Sequence, residues 1–99
     1  MNAPATPADA QRCEKVFTVL NELGLHARPS AMFVKTASRF KSDVSVEKNG
    51  EVVNGKSIMG LMMLAAGKGT TLKITAVGAD AREAISAIEE IFQKRFNEQ

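Results

Sequence analysis

Tryptophan and tyrosine are absent from this 99-residue sequence, and histidine and cysteine occur once each. A zinc site takes about three or four His, Cys or carboxylate ligands, so no metal centre is expected. One thiol cannot form an internal disulfide, and Cys13 is expected to remain a free thiol, as a reducing cytoplasm permits. Nucleic-acid-binding sheets present aromatic side chains on which bases stack; the few Phe here mostly fall at core-forming spacings, so no nucleic-acid partner is expected. Long apolar runs are also missing. The longest, Ile58 to Ala66, is broken by Gly60 and falls well short of the ~20 residues of a spanning helix, so the chain is not expected to be membrane-embedded. The first ten residues carry no basic segment and no apolar stretch and do not read as a signal peptide. A cytoplasmic protein is expected, with residues 1–13 as a flexible tail and residues 14–99 as one domain. Its balance of 13 basic and 11 acidic residues leaves a net charge of +2.

What is present is a set of short periodic segments around one thin core. Lys15 to Leu20 is β-branched and aromatic enough for a strand, and Asn21 to Gly24 breaks it. From Ala27 to about Phe40, Phe33, Val34, Ala37 and Phe40 recur at three- and four-residue steps and predict the inner face of a first helix. Val44 and Val46 alternate with polar residues, Asn49-Gly50 supplies a turn that tolerates positive φ, and Glu51 to Asn54 returns as the second arm of a hairpin. Ser57 opens a short second helix that ends before Gly67 and Gly69. Leu72, Ile74 and Ala76 predict a last strand, and Ile85, Ile88, Phe92 and Phe96 a final helix. Asp80 with Glu83 resembles a capping box for that helix, and Lys94 and Arg95 in its last turn would complement the macrodipole. The order is β-α-β-β-α-β-α, an α+β pattern with helices on one face of the sheet.

Three places invite chemistry. A lone histidine is most often structural, but His26 stands just before Arg28 and Pro29, and proline suits a first helical turn, where its missing N–H costs no bond. His26 is therefore expected at or beside the N-cap of the first helix, with unpaired backbone N–H groups next to it. That setting disfavours an imidazolium, keeps the ring nucleophilic, and would hold an anionic group placed on it, with Arg28 as a charged donor. Between His26 and Lys41 there are four basic side chains, Arg28, Lys35, Arg39 and Lys41, and no acid. A solvated helix face explains this, and so does steering of an acidic partner. Ser57 is expected to be a plain N-cap, worth about 1 kcal/mol over alanine, and a helix N-terminus also tolerates a phosphate on it. The six apolar side chains that follow, Ile58, Met59, Leu61, Met62, Met63 and Leu64, are too many for one face of two turns, so some are expected to form an exposed docking patch. Third, Gly50 to Ser57 matches the nucleotide-binding pattern G-x-x-x-x-G-K-[ST] letter for letter. Asn49-Gly50 before Glu51-Val52-Val53 favours a hairpin instead, and a glutamate inside a phosphate cradle would repel its ligand.

Gly24-Leu25-His26-Ala27-Arg28-Pro29 and Gly55-Lys56-Ser57-Ile58-Met59-Gly60-Leu61 together resemble the HPr family, the histidine phosphocarriers of the bacterial phosphoenolpyruvate-dependent sugar phosphotransferase system. The resemblance runs from about Lys15 to Phe96. It implies an open-faced β-sandwich, a four-stranded antiparallel sheet covered on one face by three helices. It implies that His26 is phosphorylated on Nδ1 by Enzyme I and passes the group to Enzyme II A components, that Arg28 steadies the phosphoryl group, and that Ser57 is the target of HPr kinase/phosphorylase. Partner contacts are expected at Ala31, Lys35, Ile58, Met59 and Met62. A monomer without cofactors is expected, a reactant in phosphoryl transfer rather than a stand-alone enzyme. Ala27 departs from members with threonine there, which leaves the backbone N–H in place. A nitrogen-related carrier with the same histidine chemistry is the alternative within the family.

Overall fold

A computed structural model of the protein describes residues 11–98. Four strands and three helices follow in the order β1 (Gln11–Thr18), α1 (Ala27–Ala37), β2 (Asp43–Lys48), β3 (Glu51–Asn54), α2 (Ile58–Met63), β4 (Thr71–Gly78) and α3 (Ala81–Gln93), with a short 3-10 turn at Arg95–Asn97. All strand pairs are antiparallel, in the sheet order β1-β4-β2-β3. Alternation along the strands sends Phe17, Val44, Val46, Leu72, Ile74 and Ala76 to one face, where they meet Phe33 and Ala37 of α1, Leu61 of α2, and Ala84, Ile88 and Phe92 of α3. Phe92 stacks on Phe17 with ring centroids 4.9 Å apart and meets the edge of Phe96 at 5.0 Å. Among the described residues the opposite face carries no helix. Lys73 lies there 3.8 Å from Glu14 and 3.6 Å from Glu47, exposed pairs worth at most about 1 kcal/mol each.

The hairpin forms as its turn residues require: Asn49 and Gly50 both have positive φ, 50° and 88°, the pairing that suits a two-residue turn between right-twisted strands. Residues 51–54 of the nucleotide-binding pattern are therefore extended and paired with β2, and do not curl into a phosphate-binding loop. None of the helices among the described residues is long and apolar enough to cross a membrane.

Several boundaries differ from the periodicity. β1 starts at Gln11, four residues before the expected strand, because β4 runs on to Gly78 and offers backbone partners to Gln11, Arg12 and Cys13. Those three residues thus belong to the sheet, whereas residues 1–10 of the expected tail lie outside the described residues. α1 stops at Ala37; Arg39 and Phe40 donate their N–H groups to the carbonyls of Thr36 and Ala37, a tighter turn that closes the helix. α3 stops at Gln93. Arg95, Phe96 and Asn97 all take left-handed angles, so Phe96 reaches the core by a reversal of the chain and not by helical spacing. Lys94 is consequently the C-cap and Arg95 lies beyond the helix, and neither sits in its last turn.

Asp80 is the N-cap of α3, yet its side chain caps nothing there. The carboxylate accepts instead from the Ser42 hydroxyl at 2.5 Å and from the N–H groups of Lys41 and Ser42, both at 2.9 Å, tying the α1–β2 loop to the start of α3. The Ser42 hydroxyl, then the Lys41 amide, hold its pKa below the ordinary aspartate value despite some desolvation.

Candidate functional site

His26 is the N-cap of α1, with extended angles of φ −80° and ψ −164°. Its carbonyl accepts from Ser30 N–H at 3.0 Å, whereas its side chain makes no cap bond, so the ring is free to face outward. The N–H groups of Ala27 and Arg28 have no acceptor inside the helix by geometry, and Pro29 has no N–H to satisfy. The segment before the histidine is tightly held. Leu25 donates its N–H to the Ala66 carbonyl at 2.9 Å and accepts at its own carbonyl from the Ser30 hydroxyl at 3.1 Å.

The residue that completes the site lies 72 positions away. The left-handed turn at residues 95–97 carries Glu98 back over the N-terminus of α1, where its carboxylate accepts from Arg28 Nη1 at 3.0 Å and Asn21 Nδ2 at 3.0 Å, with His26 Nε2 at 3.3 Å. A carboxylate only accepts, so Nε2 is the nitrogen that carries the hydrogen toward it, and in the neutral ring the lone pair is then on Nδ1. Asn21 is fully buried and also donates to the Gly24 carbonyl at 2.8 Å. Desolvation pushes the Glu98 pKa up, but the hydrogen bonds from Asn21, Arg28 and His26 outweigh it and leave the carboxyl below the ordinary glutamate value. A carboxyl with a depressed native pKa stabilises the fold above its unfolded value and loses that contribution as pH falls through the native one. Glu98→Gln is therefore expected to melt below the parent at neutral pH, with the gap closing in acid. Melting curves across that range check this, and a gap independent of pH would contradict it.

Neither Glu98 nor Asn21 emerged from the sequence. Asn21 reads there only as part of the segment that breaks the first strand, and no local pattern singles out Glu98. Of the four basic side chains after His26, Arg28 is occupied by Glu98, Arg39 lies over the Phe40 ring, and Lys35 and Lys41 enter no ion pair among the described residues. Ala31 and Lys35 are exposed on α1.

Ser57 is the N-cap of α2, and its hydroxyl accepts from Gly60 N–H at 3.0 Å. The apolar surplus divides as the helix geometry demands. Leu61 and Leu64 are buried, whereas Ile58, Met59, Met62 and Met63 face outward, Met59 72% exposed. Met62, Ala65, Ala66 and Gly67 line one wall of an open hollow whose other wall is Leu23, Leu25 and His26. The apolar surface of α2 is thus continuous with the histidine, whereas Ser57 makes no hydrogen bond to His26 or Arg28.

Comparison with known proteins bears on the family and the fold. Residues 13–94 match the family model described as "PTS HPr component phosphorylation site". The chain is 55% identical over 80 residues to the phosphocarrier protein HPr of Neisseria meningitidis serogroup A, covering 81% of this chain and 90% of that protein. It is 47% identical over 85 residues to the phosphocarrier protein HPr of Xylella fastidiosa (strain Temecula1), covering 86% and 96%. The crystal structure of HPr-C-His from Thermoanaerobacter tengcongensis superposes with a TM-score of 0.85 at 45% identity, over 88% of this chain and 98% of that one. With the family model matched over residues 13–94 and the strand order and three helices in agreement with the solved structure, the chain belongs to the HPr family of phosphotransferase-system phosphocarriers.

Proposed function

We propose that His26 is the phosphoryl acceptor of this carrier, taking the group from Enzyme I on Nδ1 and passing it to Enzyme II A components. The observation that supports it most is the orientation of the ring: Glu98 faces Nε2, so the neutral ring has its nucleophilic lone pair on Nδ1 at a helix N-terminus. In the forward step the Nδ1–phosphorus bond forms as the bond from phosphorus to the donor breaks, and the reverse logic applies when the acceptor attacks. The free N–H groups of the first turn and Arg28 offer charge-assisted hydrogen bonds to the phosphoryl oxygens. Glu98 competes with that anion for Arg28, so the carboxylate withdraws as the group arrives. No cofactor enters this chemistry, and the partners supply most of the catalytic groups. The carrier acts as a monomer in the cytoplasm. Incubation with labelled phosphoenolpyruvate and Enzyme I is expected to give one acid-labile modification mapping to His26; an acid-stable label or another residue would overturn the assignment.

Partner docking is assigned to Ala31 and Lys35 on α1 and to Ile58, Met59 and Met62 on α2, where exposed apolar side chains border the histidine hollow. Ser57 is the regulatory position, phosphorylated by HPr kinase/phosphorylase in carbon catabolite control. A phosphate there adds roughly −1.5 to −2 of charge beside the docking surface. Ser57→Asp is expected to slow transfer from Enzyme I to His26 by roughly tenfold, about 1.4 kcal/mol of docking free energy. Transfer kinetics equal to those of the parent would contradict the coupling.

A further inference from the structure

We propose that Lys48 is a positioning residue for phosphoryl transfer, holding the turn after α2 in the place that seats His26 and shapes the wall its partners meet. This rests on the reading of His26 as the phosphoryl acceptor. Lys48 ends β2 on the helix-facing side of the strand, two residues beyond Val46 in the alternation. Its ammonium donates to the Leu64 carbonyl at 2.8 Å and to the Ala65 carbonyl at 3.3 Å.

Those carbonyls need a donor. At the end of α2 the Leu61 and Met62 carbonyls accept from the N–H groups of Leu64 and Ala65, but the Leu64 and Ala65 carbonyls lie past the helix end with no backbone donor among the described residues, and the last turn of α2 has no basic residue to serve them. Ala65 is also left-handed, with φ 51°, a conformation that is strained for a non-glycine residue and persists only where its surroundings enforce it. Lys48 provides that enforcement from another element. The next residue, Ala66, accepts the Leu25 N–H at 2.9 Å, and Leu25 precedes His26. An unbroken path thus runs from the ammonium through the 64–66 turn to the backbone of the histidine. The same turn supplies Ala65 and Ala66 to the hollow beside the ring.

Lys48→Met keeps the apolar stem and removes the donor; Lys48→Arg restores a cation of similar reach. Phosphoryl transfer from Enzyme I is measured with each, together with amide hydrogen exchange at Leu25 and at Ile74 in the centre of β4. For Lys48→Met the KM for phosphorylated Enzyme I is expected to rise about tenfold, the equivalent of one charge-assisted hydrogen bond, with kcat little changed. Leu25 loses exchange protection while Ile74 keeps it, and Lys48→Arg recovers both readouts. An unchanged KM, unchanged Leu25 protection, or an equal loss at Leu25 and Ile74 would overturn the proposal, the last by reducing Lys48 to a general stabiliser. If the parent protein itself takes no label on His26, the acceptor reading fails. The transfer role of Lys48 falls with it, and the exchange data alone still report whether Lys48 holds the turn.

Discussion

Replacing His26 by alanine is expected to abolish acid-labile labelling from phosphoenolpyruvate and Enzyme I while leaving the fold intact. The loss is complete because this is the only imidazole in the chain, and no second histidine is available to take the group. The fold survives because the His26 side chain makes no cap bond to α1, and its carbonyl, which accepts from Ser30, is unaffected by the substitution. Glu98 retains Asn21 and Arg28 as donors in the variant. Circular dichroism and a melting curve close to the parent's, alongside a blank labelling lane, are the expected pair of results. Undiminished acid-labile label in the variant would remove His26 from the mechanism.

The second large effect is expected at Gly24. This residue has φ +70°, and a β-carbon built on it would lie 2.7 Å from Gly67 Cα and closer still to the Ala66 carbonyl oxygen, both backbone atoms that cannot rotate away. The left-handed conformation costs alanine about 1–2 kcal/mol, and forcing an atom into packed backbone adds about 1–3 kcal/mol. Gly24→Ala is therefore expected to lose roughly 2–5 kcal/mol, a melting-point drop on the order of 10 °C or more for a domain of this size. Gly50→Ala is the control, since its φ is +88° but its β-carbon would meet nothing within 4 Å. It is expected to show only the conformational part. Equal melting points for the two variants would sink the collision argument. Because the displaced atoms belong to the 66–67 segment that receives the Leu25 N–H, Gly24→Ala is also expected to impair transfer at His26 beyond its cost in stability.

Local chemistry was legible wherever a residue's role depends on its immediate neighbours. Pro29 in a first turn placed His26 at the start of α1, Asn49-Gly50 placed the hairpin turn, and Ser57 before an apolar segment placed the start of α2. The hairpin also disposed of the nucleotide-binding pattern, because backbone paired in a strand cannot wrap a phosphate. Periodicity failed where the chain turned without a glycine or proline to announce it. Residues 95–97 are Arg, Phe and Asn, yet all three are left-handed, and a helical reading carries on through Phe96.

The order of elements, the core faces of the strands, the position of His26 on a helix end and the surplus of apolar side chains on α2 all follow from local sequence. Which distant groups surround them depends on the packed chain: Glu98 and Asn21 at the histidine, Asp80 on the α1–β2 loop, and Lys48 on the turn after α2. The physical reason is one of range. Alternation and helical spacing follow from repeating backbone geometry, so a few neighbouring residues reveal them. A carboxylate 72 positions from a histidine finds it only because packing of α1 against α3 brings a left-handed turn to the same place.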